Sequence, residues 1–584
     1  MFSCKRIKIS STILLTFFII LSSVCSATAI SRGEVVYEIM NALDLPVVQE
    51  GTGFSDVSSS TPHGDSIQAA KALGILPPLE QFYPSLEATN AEALMFAVRA
   101  LGLFNEAEAL GAVCNFQSSD VPPYLMPYMT IAGEMTPKAP DEMLSDPTAD
   151  VTSLTLGSLV SWLRACKNGL VFEKTLQDDV STVVMHREGI GRPPKLWLVC
   201  VDEIPLNSEA RARDLAGSLK NMGYPAFVVR QEWAFQVAIG PFANYVKAFE
   251  VKSGLPKTMT ASIIPYGGAE ESPALSWVAL VFDATTVTPK IALSSAEFGT
   301  SKPLSELAKA KNARAAVNGG YFSGMRPIGL IIADGNVVYK PYNGRTAIGW
   351  SDRGEIYIGQ ARLVTKVTVG GKVQFNVDGI NTPPTYHGIS IYTPEFGPEA
   401  QKIQSDALEV MVRDGKMTWK QSTATASHHY IPPDGFLLVA RGNSRSYFAD
   451  VPLGTEVSFE SALTPEEFGS ATWAFQAGPL LLKNGMDVSA NEGFKPSFTD
   501  KRHPRTLWGC DGSKIYWVVV DGRDPWHSRG VTLAELRSLA KRLGMRDAVN
   551  LDGGGSSGLW WNGALVNHSP GGRERPLPYI IYID

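Results

Sequence analysis

Two runs of glycine, each directly after a short apolar segment, limit the folds open to this chain more than its length or composition does. One run, at 319–320, follows an apolar segment and Asn318, and the other, at 553–555, follows an apolar segment and Asp552. Consecutive glycines adopt backbone conformations closed to other residues and let main-chain N–H groups approach a ligand oxygen. Because β-prone segments separated by glycine turns continue to the C-terminus, the sequence predicts a β-rich α+β domain over residues 272–584.

Arginines accompany these turns and do not follow a helix face. A guanidinium group binds two phosphate oxygens at once, so several arginines that converge on glycine turns are suited to a phosphodiester. Taken singly, each arginine is more often a solvated surface charge, and each turn is more often held by an Asx-type hydrogen bond. The predicted substrate-binding residues are Asn318, Gly319, Gly320, Arg345, Arg505, Arg523, Asn550, Gly554, Ser556 and Arg575.

The charge balance narrows the class of partner. The 584-residue chain has a formal net charge of −6, and removal of residues 1–29, which hold three basic and no acidic residues, makes it −9. An acidic protein gains nothing from the field of a phosphate polymer, so nucleic acid is not an expected partner. An anionic substrate must therefore be bound by locally placed arginines.

Two carboxylates and a histidine are the candidate catalytic residues. Asp521 lies in V-D-G-R and Asp552 in N-L-D-G-G-G-S-S, each after a β-prone segment. Glycosyl cleavage commonly uses two carboxyl groups on either side of the bond, and His503, with His527 as the alternative, is a candidate general acid. The competing interpretation is that Asp552 only braces the glycine turn.

The order of these motifs resembles the phosphodiester glycosidase family. The resemblance rests on N-G-G-Y-F at 318–322, R-T-A-I-G at 345–349, A-G-P-L-L at 477–481, H-P-R-T at 503–506, V-D-G-R at 520–523, S-R-G-V-T-L at 528–533 and N-L-D-G-G-G-S-S at 550–557. It implies a secreted hydrolase that cleaves a sugar-1-phosphodiester at the anomeric carbon. The implied substrate is a phosphodiester-linked glycan of a cell wall or capsule.

Three other functions are compatible with parts of this motif set. A non-catalytic protein that binds cell-wall glycan and a phosphodiesterase that cleaves on the phosphorus side both stay open. G-G-S-S-G at 554–558 also matches the nucleophile elbow of serine hydrolases, which requires a helix after the serine. Asn562 and Gly563 predict a hairpin there, which disfavours a serine hydrolase.

Residues 30–172 are predicted to be helices joined by polar turns. F-S-D-V at 54–57, F-Y-P at 82–84 and A-T-N-A-E at 88–92 resemble the S-layer homology repeat, which implies an all-α anchor on cell-wall polysaccharide. Asn90 replaces the arginine with which that family binds its anionic polymer, and Arg32 alone keeps the charge. A helical spacer without ligand is the alternative.

Residues 190–264 follow a linker at 189–195 and show a strand–helix–strand–strand pattern that leads into a second helix. Together with G-P-F at 240–242, this pattern resembles the SPOR domain. The resemblance implies a small α+β, ferredoxin-like domain that binds peptidoglycan through a sheet face. A packing module without ligand is the alternative, because this topology serves many functions.

The N-terminus indicates export. Three basic residues precede an apolar run at 13–21 that is too short to span a bilayer, and A-T-A at 27–29 supplies a cleavage site. We therefore expect a signal peptide over 1–29 and a secreted protein at the cell surface or in the wall, with an uncleaved anchor as the alternative.

The remaining cysteines and acidic residues give two weaker expectations. Cys114 and Cys166 fall in one predicted domain and could form a disulfide in an oxidising compartment. No cofactor or catalytic metal is expected. Asp521 and Asp524 could hold a structural calcium ion, although the loop lacks the ligand spacing of an EF-hand.

Overall fold

The structure is a computed structural model that describes residues 29–47, 54–58, 60–77, 79–117, 120–194, 196–205, 208–230, 234–243, 245–256, 258–266, 272–294, 301–400, 406–423, 429–489 and 491–584. Apart from Ala29, the predicted signal peptide lies outside the described residues. Within these ranges the structure contains no helix with the length and apolar character needed to cross a membrane.

Residues 30–166 form the helical unit. Three of its helices begin where a side-chain oxygen accepts a backbone N–H: Ser31 accepts from Glu34, and Thr89 and Thr152 form reciprocal capping boxes. The helices are α1 Arg32–Ala42, α2 Gly64–Ala72, α3 Asn90–Ala100, α4 Phe104–Val113, α5 Met126–Glu134, α6 Asp141–Ser145 and α7 Ser153–Cys166. The predicted helical character of this region is confirmed for the described residues.

The turns that resemble S-layer homology repeats contact one another. Asp56 accepts hydrogen bonds from the backbone N–H of Phe82 (2.9 Å) and of Tyr83 (2.6 Å). Arg32 forms an ion pair with Glu92 and donates to the carbonyl oxygen of Phe82 (3.4 Å), so its charge is engaged inside the unit. Membership of that repeat family and binding to the wall stay predictions.

A hairpin, β1 Val171–Gln177 and β2 Ser181–Glu188, leads to the small α+β unit, residues 196–266. The sheet of this unit has the antiparallel order β4-β5-β3-β6, which is the ferredoxin-like order that the sequence predicts. Its elements are β3 Leu196–Pro205, α8 Glu209–Asn221, β4 Ala226–Arg230, β5 Ala234–Phe242, α9 Tyr245–Ser253 and β6 Ser262–Tyr266. Its assignment as a SPOR domain stays a prediction.

Both faces of this small sheet hold buried side chains. Alternate positions of β3 pack on the helices, and Leu198 and Cys200, on the opposite face, are also buried. Arg573 of the C-terminal unit approaches that second face and donates to the carbonyl oxygen of Val201 at 3.0 Å. The structure therefore does not expose these positions to a glycan, contrary to the expectation that the unit binds peptidoglycan through an open sheet face.

The C-terminal unit, residues 272–584, is rich in strands, as predicted. Its strands are β7 Leu275–Asp283, β8 Lys290–Leu293, β9 Ala315–Asn318, β10 Phe322–Ser323, β11 Arg326–Pro327, β12 Ile331–Ala333, β13 Asn336–Tyr339, β14 Thr346–Trp350, β15 Ile356–Gln360, β16 Arg362–Val369, β17 Val373–Val377, β18 Gly379–Ile380, β19 Ile389–Tyr392, β20 Ala407–Arg413, β21 Lys416–Ser422, β22 Gly435–Arg441, β23 Val457–Thr464, β24 Trp473–Gln476, β25 Leu480–Lys483, β26 Met486–Asp487, β27 Arg505–Cys510, β28 Lys514–Val520, β29 Asp547–Asn550, β30 Leu559–Trp561, β31 Ala564–Leu565 and β32 Tyr579–Ile583. Its α-helices are α10 Leu304–Ala310, α11 Ser446–Ala449, α12 Pro496–Thr499 and α13 Leu533–Arg542. A capping box between Thr532 and Glu535 begins α13, as the sequence predicts.

Two sheets position the glycine turns. One has the order β1-β2-β7-β28-β27-β29-β25-β26, so the hairpin before the small α+β unit completes a sheet of the C-terminal unit. The other has the order β31-β30-β9-β32-β8. The remaining sheets have the orders β13-β12-β24-β14-β15, β18-β19-β22-β20-β21, β17-β16-β23 and β10-β11.

The helical unit and the C-terminal unit share one apolar core. A single cluster of buried side chains runs from Leu103 and Leu163 of the helical unit through Val183 of the hairpin to Trp517 of β28. The helical unit is therefore packed directly on the sheet that carries β28.

Cys114 and Cys166 are free thiols, so the possible disulfide between them is not formed. Cys166 is fully buried in the core, where burial raises the pKa of its thiol. Cys114 lies at the C-terminal end of α4 and is partly exposed, so the two thiols occupy different environments.

Candidate functional site

The two glycine turns meet at the ends of neighbouring sheets. Asn318, fully buried at the end of β9, donates to the carbonyl oxygen of Asp552 at 2.8 Å. Its side-chain oxygen accepts from the hydroxyl of Thr506 (2.8 Å) and from the N–H of Gly558 (3.2 Å). Asn318 therefore joins the turn after β9 to the turn after β29, which supports the prediction that both turns form one site.

The glycines at this junction have steric reasons to be glycine. A Cβ on Gly319 would lie 2.1 Å from the ring of Tyr579, and one on Gly320 would lie 2.0 Å from the carbonyl oxygen of Gln476. The N–H of Gly320 donates to the hydroxyl of Tyr579 at 2.6 Å. These two glycines thus pack the turn against β32 and β24.

Asp552 and two arginines form the charged centre of the site. The Asp552 carboxylate accepts hydrogen bonds from the N–H of Gly553 (3.0 Å) and the hydroxyl of Ser556 (2.6 Å), and Arg575 donates to the same hydroxyl at 3.3 Å. A Cβ on Gly554 would lie 2.9 Å from the Arg523 guanidinium, and one on Gly555 would lie 2.8 Å from that of Arg575. The bare glycine backbone therefore lets both guanidinium groups lie against the turn.

Arg523, Arg575 and Asp552 are partly exposed as whole residues, and the carboxyl of Asp552 is itself buried in the turn. Burial raises the pKa of Asp552, and Arg575 and then Arg523 oppose that shift. Because the loss of water around the carboxyl outweighs the stabilisation of its charge by the two cations, Asp552 is a stronger base than an exposed aspartate.

His503 lies beside Arg523, with its Nδ1 atom 3.3 Å from the guanidinium. A guanidinium only donates, so Nδ1 accepts and the ring proton resides on Nε2. Burial, with the charges of Arg523 and Arg505, lowers the pKa of His503 to about 3. At neutral pH this imidazole is uncharged, and this does not favour the predicted role of His503 as a general acid.

Arg345 and Arg505, predicted together as phosphate ligands, have different surroundings. The Arg345 guanidinium is partly exposed and stacks 3.5 Å from the centroid of Phe494 and 5.7 Å from that of Tyr321. Arg505 is 1% exposed, and it donates to the carbonyl oxygens of Val531 (3.2 Å), Phe498 (2.5 Å) and Lys501 (3.0 Å). The contacts of Arg505 are those of a side chain that holds loops in place, unlike the predicted phosphate ligand.

Asp521 lies in a second, buried cluster. Its carboxylate accepts from Nε2 of His527 (2.8 Å), from the side-chain amide of Asn567 (3.0 Å) and from the N–H of His568 (3.0 Å). Burial opposes the charge of His527, but Glu106 and Asp521 raise its pKa to about 10. The expectation that Asp521 and Asp552 flank one cavity as a catalytic pair is therefore not supported by these contacts, which anchor Asp521 within the protein.

Several residues that the sequence analysis did not select support the site. The hydroxyl of Tyr321 donates to the carbonyl oxygen of Gly478 (2.7 Å) and accepts from the amide of Asn550 (2.9 Å). The amide of Gln476 donates to the carbonyl oxygen of Arg345 at 2.8 Å. Glu492 accepts from the N–H groups of residues 346 and 480, both at 2.9 Å, and holds the segment that carries Phe494. Tyr321 lies within the N-G-G-Y-F motif at 318–322, and Gln476 directly precedes the A-G-P-L-L motif at 477–481. Proximity to these motifs is the sequence signal that could have identified both residues.

The described part of the chain contains no group of three or more His, Cys, Asp or Glu side chains suited to a metal ion. The carboxylate of Asp524 accepts from the N–H groups of Trp526 (2.9 Å) and His527 (3.2 Å) within its own turn. A calcium ion at Asp521 and Asp524 stays a prediction without support from these contacts.

Ser556 lies in a short 3-10 turn, Gly554–Ser556, and the strand β30 follows it. β30 pairs with β31 across the turn at Asn562 and Gly563. The nucleophile elbow of a serine hydrolase requires a helix after the serine. The predicted hairpin is thus confirmed and the elbow is absent here.

Comparison with known proteins agrees with the resemblance for part of the chain. Residues 406–584 match the model of the phosphodiester glycosidase family, a range that contains Asp552, Arg523 and Arg575 and excludes Asn318 and Arg345. No curated protein matches the chain.

Three solved structures show similarity at low sequence identity. A hypothetical protein from Synechocystis is 21% identical and covers 71% of this chain and 77% of its own, with a TM-score of 0.48. A protein from Burkholderia pseudomallei K96243 that is described as exported is 19% identical and covers 71% of this chain and 96% of its own, with a TM-score of 0.51. The third is the catalytic domain of zebrafish N-acetylglucosamine-1-phosphodiester alpha-N-acetylglucosaminidase, auto-inhibited by its pro-peptide. It is 17% identical and covers 56% of this chain and 79% of its own, with a TM-score of 0.28. The Burkholderia structure supports a shared fold and nothing more.

Proposed function

We propose that the C-terminal unit hydrolyses a sugar-1-phosphodiester at the anomeric carbon. The observation that carries the proposal is the Asp552 carboxyl, whose pKa is raised by burial, held in a glycine turn beside the partly exposed residues Arg523 and Arg575. The match of residues 406–584 to the phosphodiester glycosidase family supports the same chemistry.

In the proposed reaction, Arg523 and Arg575 bind the phosphodiester anion, and Arg345, whose guanidinium lies 5.7 Å from the ring centroid of Tyr321 after the first glycine turn, is the candidate third cation. Asp552 accepts a proton from a water molecule that attacks the anomeric carbon. The bond between this carbon and the phosphate oxygen breaks, and its electron pair stays on the phosphate. The products are a free sugar and a phosphate monoester.

This reaction needs no protonated histidine. A phosphate monoester leaves with little proton demand, and guanidinium groups neutralise the charge that develops on it. A neutral His503 is compatible with that chemistry, and it would accept a hydrogen bond from Arg523 and orient that guanidinium. Asp521 and His527 hold the loop that precedes α13.

We further propose that the chain is exported by its N-terminal segment and acts on phosphodiester-linked glycans of a cell wall or capsule. The proposal rests on the basic and apolar pattern of residues 1–29 and on the resemblance of the helical unit to wall-anchoring repeats.

The test is to incubate the full chain with a panel of sugar-1-phosphate diesters in isotopically labelled water. Label on the anomeric hydroxyl of a released sugar supports the proposal. Label on the phosphate would show cleavage on the phosphorus side instead, and binding of glycan without any product would show a non-catalytic protein.

A further inference from the structure

The loop that carries Arg523, residues 521–530, is held by segments that precede the C-terminal unit. The carbonyl oxygens of residues 525–527 all accept hydrogen bonds from such segments. Arg187, at the end of β2, donates to the carbonyl oxygens of His527 and of Trp526, the latter at 3.1 Å. The N–H of Arg192 donates to the carbonyl oxygen of Pro525 at 2.8 Å. Three consecutive peptide groups are thereby fixed from outside the loop.

A buried charged chain links the same loop to the helical unit. Glu106 on α4 lies 3.4 Å from Nδ1 of His527 and 3.7 Å from Nε of Arg187, and His527 contacts Asp521 through its other nitrogen. All four side chains are buried. Burial works against the charge of Glu106, but His527 and Arg187 hold its pKa at about 2, so the carboxylate is ionised at neutral pH.

Two glycines allow the backbone to pack closely around Trp526. A Cβ on Gly102, between α3 and α4, would lie 2.5 Å from the Trp526 ring and from its carbonyl oxygen. A Cβ on Gly191, after β2, would lie 1.7 Å from the same oxygen. The helical unit and the segment after the hairpin therefore enclose Trp526 at a distance that other residues would not allow.

The backbone of Arg523 is in an unfavourable conformation, with a φ of 65°. A non-glycine residue is disfavoured in this region and keeps the conformation only where its surroundings hold it. Trp526 and His527, three and four residues later, are the points at which the loop is held.

We infer that Glu106 and Arg187 are positioning residues for Arg523, so that the helical unit and the hairpin form part of the site's framework. The role of Arg523 in this inference rests on the function proposed above. Loss of either side chain leaves a charge buried without its partner and releases the loop at Trp526 and His527. The guanidinium of Arg523 then no longer stays beside Gly554 and Asp552.

The test uses the full chain with Glu106→Gln, which keeps the shape of the side chain and removes its charge. Glu108→Gln is the matched control, because Glu108 is exposed on the same helix. We expect Glu106→Gln to speed amide hydrogen exchange in residues 521–530 by about tenfold and to weaken binding of inorganic phosphate. We expect kcat/KM for a sugar-1-phosphodiester to fall by about a hundredfold, with Glu108→Gln unchanged in all three measurements.

A milder variant keeps the inference testable if Glu106→Gln does not fold. Arg187→Lys keeps the buried positive charge and loses the forked contact with the carbonyl oxygens of Trp526 and His527, and a smaller change in the same direction is expected. Wild-type exchange in residues 521–530 and wild-type phosphate affinity in a folded variant overturn the inference, whatever the activity. A response of the loop in a protein that releases no sugar supports the positioning role and refutes the proposed function instead.

Discussion

Replacement of Asp552 by asparagine separates catalysis from the bracing of the glycine turn. The carboxylate accepts two hydrogen bonds, from Gly553 and Ser556. The asparagine oxygen can keep the first, and the serine hydroxyl can accept from the new amide, so we expect a loss of about 1 kcal/mol or less in the free energy of unfolding. Removal of the charge also relieves the burial that raises the pKa of Asp552, which offsets part of this loss.

The expected loss of activity is much larger. General base catalysis contributes about 100- to 10,000-fold, so kcat should fall by that factor, which corresponds to about 3–5 kcal/mol in the activation barrier. KM should stay the same or decrease, because Arg523 and Arg575 lose a carboxylate that competes with the substrate anion. The assay is release of free sugar by the full chain, with urea unfolding measured on the same sample.

The matched control is Asp547→Asn at the opposite end of β29, where the carboxylate accepts from the N–H of Asn484 at 2.7 Å and the side chain pairs with Lys483. This variant should keep wild-type kcat. The reasoning is refuted if Asp552→Asn turns over within about threefold of the wild type, well short of a general base contribution, because Asp552 would then only brace its turn.

Three further predictions concern Arg575, Gly319 and the buried pair of Glu106 and His527. Arg575→Lys keeps the charge and loses the forked geometry, so KM for a sugar-1-phosphodiester should rise about tenfold in steady-state kinetics with a smaller change in kcat. Gly319→Ala places a methyl group against an aromatic ring at 2.1 Å and should lower the free energy of unfolding by about 1–3 kcal/mol, whereas Gly359→Ala, with no atom within 4 Å, should not. The folded-state pKa of Glu106 is lowered, so its stabilising contribution is present above pH 4.5 and is lost as the pH falls through about 2. The folded-state pKa of His527 is raised, so the stabilising contribution of His527 is complete below pH 6.5 and is lost as the pH rises through about 10. The difference in unfolding free energy between the wild type and Glu106→Gln should therefore be greatest between pH 4.5 and 6.5, as urea titrations across pH would show.

Local patterns in the sequence were enough to predict the strand ends of the site. The apolar segments before Asn318 and Asp552 form β9 and β29, and the capping box at Thr532 begins α13. These features depend on neighbours in the chain, so periodicity and turn chemistry can predict them. The succession of strands and helices in the small α+β unit was predictable for the same reason, whereas its ferredoxin-like strand order was expected from the resemblance alone.

The direction of individual side chains was not predictable in this way. Arg505 and Arg523 both lie beside glycine turns, yet only Arg523 reaches the turn at Asp552. Arg505 is the first residue of β27, every position of which is buried, so its guanidinium can satisfy its donors only with carbonyl oxygens inside the protein. The contact between Glu106 and His527 joins positions more than 400 residues apart, and no local pattern contains such a pairing.

The two aspartates show how the same sequence context can produce different chemistry. Asp521 and Asp552 each follow an apolar strand and precede a glycine, and the sequence assigned them equal roles. Asp521 is surrounded by His527, Asn567 and a backbone donor, which use its oxygens to fix a loop. Among the described residues, Asp552 accepts hydrogen bonds from Gly553 and Ser556 of its own turn and lies beside two guanidinium groups. In the reaction proposed above, Asp552 activates water and the leaving phosphate needs little protonation, so a neutral His503 does not prevent cleavage of a phosphate-linked sugar.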